Sequence, residues 1–309
     1  MQVIETSPSG VRRLLGQVVA VQDLDRAVDS YERLGLALSN RFRRDDIGLD
    51  TATFGFPGGT YLELVAAIDA DAVVGGTVAA FLQRRGEGPY LTCFEVDDVH
   101  LAYDRLRTAG VDVVGPPDSP PEARGIACDV LWLKPRATAG AFVQLLSFRT
   151  PGHEEAVRTD GMRLFTHAVA VPNYESAVRD FRLLGLDPWA EYTTDRWGLQ
   201  TAVFRLSDES NFEIVSPVDV TRRAAAAVAK VAKTRGYGHY MTVFECEDVH
   251  TLAESLASAG VPILGPPTVA PPESPWGPVQ QLWVHPRATH GAFIEFLTRD
   301  ATKSESHGG

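Results

Sequence analysis

The segment WLKPRATAGAFVQLLSF (132–148) returns as WVHPRATHGAFIEFLTR (283–299), with the two Pro-Arg-Ala-Thr runs 151 residues apart. Working outward, other pairs stand 150 residues apart. Ala20-Val21 recurs as Ala170-Val171, Leu34-Gly35-Leu36 as Leu184-Gly185-Leu186, and Glu63 as Glu213. Phe94-Glu95 recurs as Phe244-Glu245, Asp98-Val99-His100 as Asp248-Val249-His250, and Gly115-Pro116-Pro117 as Gly265-Pro266-Pro267. A nearly constant offset over so many positions marks a duplicated domain, and the period is too long for a solenoid. The first copy is expected at 1–149 and the second at 163–300. The polar stretch 150–162 reads as a linker and 301–309 as a disordered tail.

Each copy divides again. Val18–Val21 is apolar and β-branched, as a strand requires. DLDRAVDSYERLG then places Ala27, Val28, Tyr31 and Leu34 at helical spacing, with Asp23 or Asp25 as N-cap and Gly35 as the stop. Three short strand-like runs follow: RFRR, TATFGF and TYLELVAAI. The pattern restarts at LTCFEV, with a helix over DVHLAYDRLRTAG and further strands at VDVVG, DVLWLKP and AFVQLLSF. The chain is thus an α+β protein of four βαβββ modules in two tandem domains. A helix on a twisted antiparallel sheet leaves one sheet face uncovered. Modules should therefore pair, within a chain or between two copies as a homodimer, around a concave interior.

Composition narrows the functional classes. The 309 residues carry 29 Lys+Arg against 40 Asp+Glu, a net charge of −11, which argues against a nucleic-acid or anionic membrane surface. Three cysteines are too few and scattered for a disulfide framework or a multi-Cys zinc site. The N-terminal residues lack a signal-peptide layout, and no apolar run reaches ~18 residues. A cytoplasmic protein acting on a small molecule is the expectation.

The runs FLQRRGEGPYLTCFEVDDV (81–99), SNFEIVSP (210–217) and WVHPRATHGAFIEFL (283–297) resemble the vicinal oxygen chelate superfamily, and within it methylmalonyl-CoA epimerases. The resemblance implies tandem domains with cupped sheets. It also implies one divalent first-row metal (Co, Mn, Ni, Fe or Zn) per cup, held by residues from the first, fourth, fifth and eighth strands. Carried over, these are His167, Glu213, His239 and Glu295. The fifth-strand position itself falls on Met241. His239, two residues earlier, shares its face on an ideal strand about 7 Å away, and a bulge would bring it within range. In the first copy Gln17, Leu91 and Gln144 replace three ligands and only Glu63 remains, a poor donor set for such an ion. That copy is expected to be structural or substrate-shaping.

Such a metal would stabilise the oxyanion formed when a proton leaves the carbon alpha to a carbonyl. Glu295 is the expected base. The second acid/base position of the epimerases falls on Arg196, with Asp195 and Glu191 beside it. A metal-dependent epimerase or isomerase is the leading reading. Two-domain Fe(II) extradiol dioxygenases are similar in plan. However, no histidine lies between His167 and His239, and no tyrosine lies in VHPRATHGAFIE. A metal-free binding or resistance protein is the third reading, favoured by Met241 and by Trp189, Trp197, Trp276 and Trp283, which could line an aromatic pocket. His285 and His290, mirrored by Lys134 and Ala139, read as loop residues near the mouth.

Overall fold

A computed structural model describes residues 10–119, 127–149, 159, 161–206 and 210–299. Of the expected linker only Thr159, Gly161 and Met162 fall among them, and the expected tail lies outside them. The first copy runs β1 (Val11–Ala20), α1 (Leu24–Glu32), β2 (Leu38–Arg44), β3 (Leu49–Gly55), β4 (Tyr61–Ala67), α2 (Val73–Arg85), β5 (Gly88–Val96), α3 (Val99–Thr108), β6 (Val113–Asp118), β7 (Cys128–Leu133) and β8 (Val143–Phe148). The second repeats it as β9 (Met162–Ala170), α4 (Tyr174–Leu183), β10 (Ala190–Thr194), β11 (Leu199–Arg205), β12 (Asn211–Pro217), α5 (Arg223–Arg235), β13 (Gly238–Cys246), α6 (Val249–Ser258), β14 (Thr268–Val269), β15 (Gln280–Val284) and β16 (Phe293–Thr298).

Local chemistry sets these boundaries. Asp23 caps α1 by accepting the Arg26 amide, and Asp98 and Asp248 do the same for α3 and α6. Helix α2 has no side-chain cap and begins with Val-Val-Gly-Gly. Sequence periodicity gives little sign of it. Gly75 is needed there for close approach, because a Cβ would meet the Asp69 carbonyl oxygen at 2.1 Å.

Each copy forms one eight-stranded sheet, ordered β2-β3-β4-β1-β5-β8-β7-β6 and β10-β11-β12-β9-β13-β16-β15-β14. The modules pair within the chain, through β1 on β5 and β9 on β13, both antiparallel. The outer faces of the sheets and helices α1, α3, α4 and α6 share one continuous apolar core that crosses between copies. Phe56 meets Phe244 at 5.0 Å and Phe94 meets Phe212 at 5.4 Å between ring centroids. Each buried phenylalanine contributes roughly 1.5–3 kcal/mol, so the two copies fold onto each other as one body.

The inner faces differ. In the first copy Leu15, Val18, Val65, Val78, Tyr90, Leu91, Cys93 and Leu146 pack into an apolar cluster against α2. Side chains fill that cup. In the second copy the inner-face cluster is smaller, and much of it is alanine: Ala168, Ala170 and Ala225. A cavity remains there. All three cysteines are buried, and among the described residues none forms a disulfide. Among the described residues no helix is long and apolar enough to cross a membrane.

Candidate functional site

Strand register decides which side chains enter the second cup. Glu213 on β12 pairs with Ala168 on β9, and Met241 on β13 pairs with the same alanine. Paired residues share a face, and neighbours along a strand alternate. Ala168, Glu213 and Met241 therefore point inward. Glu295 on β16 pairs with Val243 of β13, which pairs with Thr166 of β9, so these also point inward. His167 lies between Thr166 and Ala168 and pairs with Phe212 and Thr242. It points outward into the interface between the copies, where it is fully buried.

His239 is turned away by a different device. The register passes from His239 opposite Val169 to Met241 opposite Ala168, leaving Tyr240 as an extra residue. The bulge exists, yet it sends His239 to the outer face and Tyr240 into the cup. A second shift leaves Phe165 unpaired on β9, and both Phe165 and Thr166 reach the cavity.

The two histidines meet on the far side. His167 Nε2 lies 2.9 Å from His239 Nδ1, and Thr92 Oγ1 of the first copy lies 3.1 Å from the same nitrogen. His239 Nε2 is 2.9 Å from the Phe142 carbonyl oxygen. The Phe142 amide N–H donates to the same Nε2 at 3.0 Å, which makes Nδ1–H the donor toward His167 Nε2 and Thr92 Oγ1, with both rings neutral. Burial, then the neighbouring His239, holds His167 well below the ordinary histidine range, and burial lowers His239 to about 4. This is a polar knot between the copies, and the expected metal set is split by the sheet.

The cavity inside the second cup measures about 390 Å³. Glu213 and Glu295 sit in its wall, only 7% and 4% exposed. Burial raises Glu213 to about 7, moderated by a hydrogen bond from the Trp276 side chain. Burial, then the charge of Glu213, raises Glu295 to about 8 against hydrogen bonds from Trp283 and Gln281. Gln281 Nε2 donates to Glu295 Oε1 at 2.6 Å. Tyr192 lines the same wall, and its hydroxyl is raised by burial and by both carboxylates. Thr166 Oγ1 and Gln281 Oε1 are buried without a hydrogen-bond partner among the described residues. Both residues line the cavity, so their polar atoms can serve a ligand.

Other expected residues fall elsewhere. Glu191 is exposed on β10 and accepts the Tyr174 hydroxyl at 2.7 Å, on the α4 side of the sheet. Asp195 is exposed in the β10–β11 turn and does not line the cavity, whereas Arg196 does. Tyr192 lies between the two acids by parity and was not singled out in the sequence, although Glu191 and Asp195 bracket it. Trp197, Trp276 and Trp283 line the cavity. Trp189 is 44% exposed and stands outside, beside Trp276 and under the Arg205 guanidinium. His290 joins the copies through Glu87 Oε2 at 3.0 Å and Ser30 Oγ at 3.2 Å.

The divalent metal implied by the resemblance can be tested against these donors. An imidazole-seeking ion meets Thr166 and Met241 at the two inward positions where it needs histidines. The carboxylates that remain are engaged by indole and amide donors. Among the described residues no three His, Cys, Asp or Glu side chains are grouped to hold a metal. The donor set does not fit the expected first-row ion.

The family model for the Glyoxalase/Bleomycin resistance protein/Dioxygenase superfamily matches residues 17–128 and 167–274, and the chain belongs to that superfamily. An ethylmalonyl-CoA/methylmalonyl-CoA epimerase of Cereibacter sphaeroides is 31% identical over 137 residues, covering 44% of this chain and 97% of the relative. Among solved structures, a variant of 4-hydroxymandelate synthase from Streptomyces coelicolor has a TM-score of 0.69 at 17% identity, covering 94% of this chain and 93% of its own. A methylmalonyl-CoA epimerase from Mycobacterium tuberculosis is 28% identical over 48% of this chain and 92% of its own, with a TM-score of 0.40. The tandem two-domain fold is therefore shared with an enzyme of that plan.

Proposed function

We propose that the second cup is a metal-independent small-molecule site in which Glu213 and Glu295 transfer a proton alpha to a carbonyl, as an isomerase or epimerase. The observation that carries this reading is the pair of buried carboxyls, facing one cavity and poised at about 7 and 8. At neutral pH the pair holds about one proton. Its ionised member serves as base, and its protonated member as hydrogen-bond donor to the carbonyl oxygen. The more acidic Glu213 takes the base role. It removes the proton, and the charge that develops on oxygen faces the Glu295 hydroxyl. Return of the proton by Glu213 to the same face of that carbon restores the substrate with solvent exchange. Delivery by Glu295 to the opposite face gives the epimer, leaving Glu295 ionised and Glu213 protonated. Trp197, Trp276, Trp283 and Tyr240 supply apolar walls for an acyl or aromatic body. Their indole and phenol edges keep the ligand oriented toward the acids.

A second reading, binding without turnover, draws on Met241 and Thr166 at the inward positions. The dioxygenase reading loses its two histidine ligands to the far face. Chelator-treated protein incubated in deuterated water with a panel of aryl ketones and acyl thioesters tests the proposal. Incorporation of solvent deuterium next to the carbonyl is expected, falling by about 10²- to 10⁴-fold in Glu213→Gln. Incorporation only after a metal is added, or equal rates in the variant, would overturn it. Saturable binding without incorporation would leave the second reading.

A further inference from the structure

A second cavity, about 480 Å³, opens between the copies where the C-termini of α2 and α5 approach each other. The repeat places one arginine from each copy there, in Arg85-Gly86-Glu87-Gly88 and Arg235-Gly236-Tyr237-Gly238. Both are half-buried, and each donates to a backbone carbonyl oxygen. Arg85 donates to Tyr237 at 3.4 Å and Arg235 to Gly291 at 2.9 Å. Among the described residues neither is in an ion pair with a carboxylate. Arg235 is pressed onto the first copy so closely that a Cβ at Gly88 would meet its Nη1 at 2.8 Å.

Lys230 and His285 also line it, as does His239, whose neutral ring is engaged by Phe142 and His167. His285 Nδ1 accepts the Arg287 amide at 3.2 Å, which leaves Nε2–H as the donor of the neutral ring. The remaining charged group is Glu87, and both its oxygens are engaged. Oε1 accepts the Gln22 amide at 2.8 Å, and Oε2 lies 3.0 Å from His290 Nδ1. Three formal positive charges therefore face one occupied carboxylate, in a chain whose net charge is −11. Burial, then Arg84, disfavours the charged form of Arg85, and burial disfavours that of Arg235 against the opposing charge of Glu87. Partly desolvated guanidinium groups bonded only to carbonyl oxygens are costly to hold, and a planar or tetrahedral oxyanion is the partner that recovers the loss.

We infer that this cleft binds the phosphate group of a small molecule, held by Arg85 and Arg235 from the two copies with Lys230 and His285 Nε2–H. The site draws on both copies, so a single copy could not form it. It adjoins the second cup through the shared wall residues Tyr240, Leu264 and Phe293, yet it does not rest on the proton-transfer reading.

Isothermal titration of the full chain with inorganic pyrophosphate, at constant ionic strength, tests it. Malonate serves as a carboxylate comparison. Saturable binding of pyrophosphate is expected, weakened tenfold or more in Arg85→Met and in Arg235→Met. Lys230→Glu, an exposed change that does not threaten folding, should weaken it as well. Glu213→Gln, in the cup, should leave it unchanged. Absence of saturable binding, tighter binding of malonate, or folded Lys230→Glu and Arg85→Met proteins that bind pyrophosphate as tightly as the parent would overturn the inference.

Discussion

Met241 pairs with Ala168 while His239 pairs with Val169, so two residues only two apart leave β13 on opposite faces of the sheet. The bulged Tyr240 between them causes this. It separates a cup of carboxyls and indoles from a knot of imidazoles between the copies, and the consequences can be measured.

Restoring imidazoles where the cup can use them should create a metal site. The double substitution Thr166→His and Met241→His places two histidines on the inner face with Glu213 and Glu295. Such a protein is expected to retain about one equivalent of zinc or cobalt after dialysis, against none for the parent. Metal analysis of both proteins checks it. Retention by the parent at the same level would count against the assigned register.

His167→Leu should affect stability and spare the cup. It removes the hydrogen bond to His239, whose Nδ1 keeps Thr92 as a partner, a loss of about 0.5–1.5 kcal/mol. Urea unfolding reads the loss, while ligand affinity of the cup stays within about twofold. A large fall in affinity with little loss of stability would argue that His167 reaches the cavity.

Stability should depend on pH in two opposed ways. Glu213 and Glu295 have raised folded-state values, so their contribution is complete below the ordinary carboxylate range. It is lost as pH rises through about 7 and 8. His239 is depressed to about 4, so its contribution is present above the ordinary histidine range and is lost as pH falls toward 4. In Glu213→Gln/Glu295→Gln the loss between pH 5 and 8 should shrink, each group accounting for at most about 1.4 kcal/mol per pH unit. Denaturant melts at four pH values would show it, and identical slopes in the two proteins would refute it.

Gly238→Ala should destabilise the chain by about 1–3 kcal/mol. Gly238 has φ +132, and a Cβ there would stand 2.6 Å from the Gly140 carbonyl oxygen. Thermal unfolding checks this, and a neutral change would mean the copies can shift apart there.

Much of the fold is legible in the sequence because duplication supplies a second, independent reading of every element. Pro135–Ala137 and Pro286–Ala288 both form 3-10 turns, and Asp98 and Asp248 both cap helices. Glu213 and Glu295 are recognisable as cup residues, since the resemblance matches both to inward strand positions. The histidines are not, because facing on a strand depends on parity. A one-residue choice at His167, or one bulge beside His239, inverts the side chain. Tyr192 is hidden for a different reason: the exposed Glu191 and Asp195 near it offer the more familiar acid–base chemistry. The arginine cleft needs the docking of the copies, which no spacing within one copy conveys.

The central claim is that two buried carboxyls, without a metal, share a proton near neutral pH. Infrared titration of chelator-treated protein, with Glu213→Gln and Glu295→Gln alongside, tests it most directly. The account predicts a protonated carboxyl band that persists at pH 7, titrates with apparent values near 7 and 8, and loses one component in each variant. A band that vanishes below pH 6, or one that appears only when chelator strips a bound metal, would contradict it.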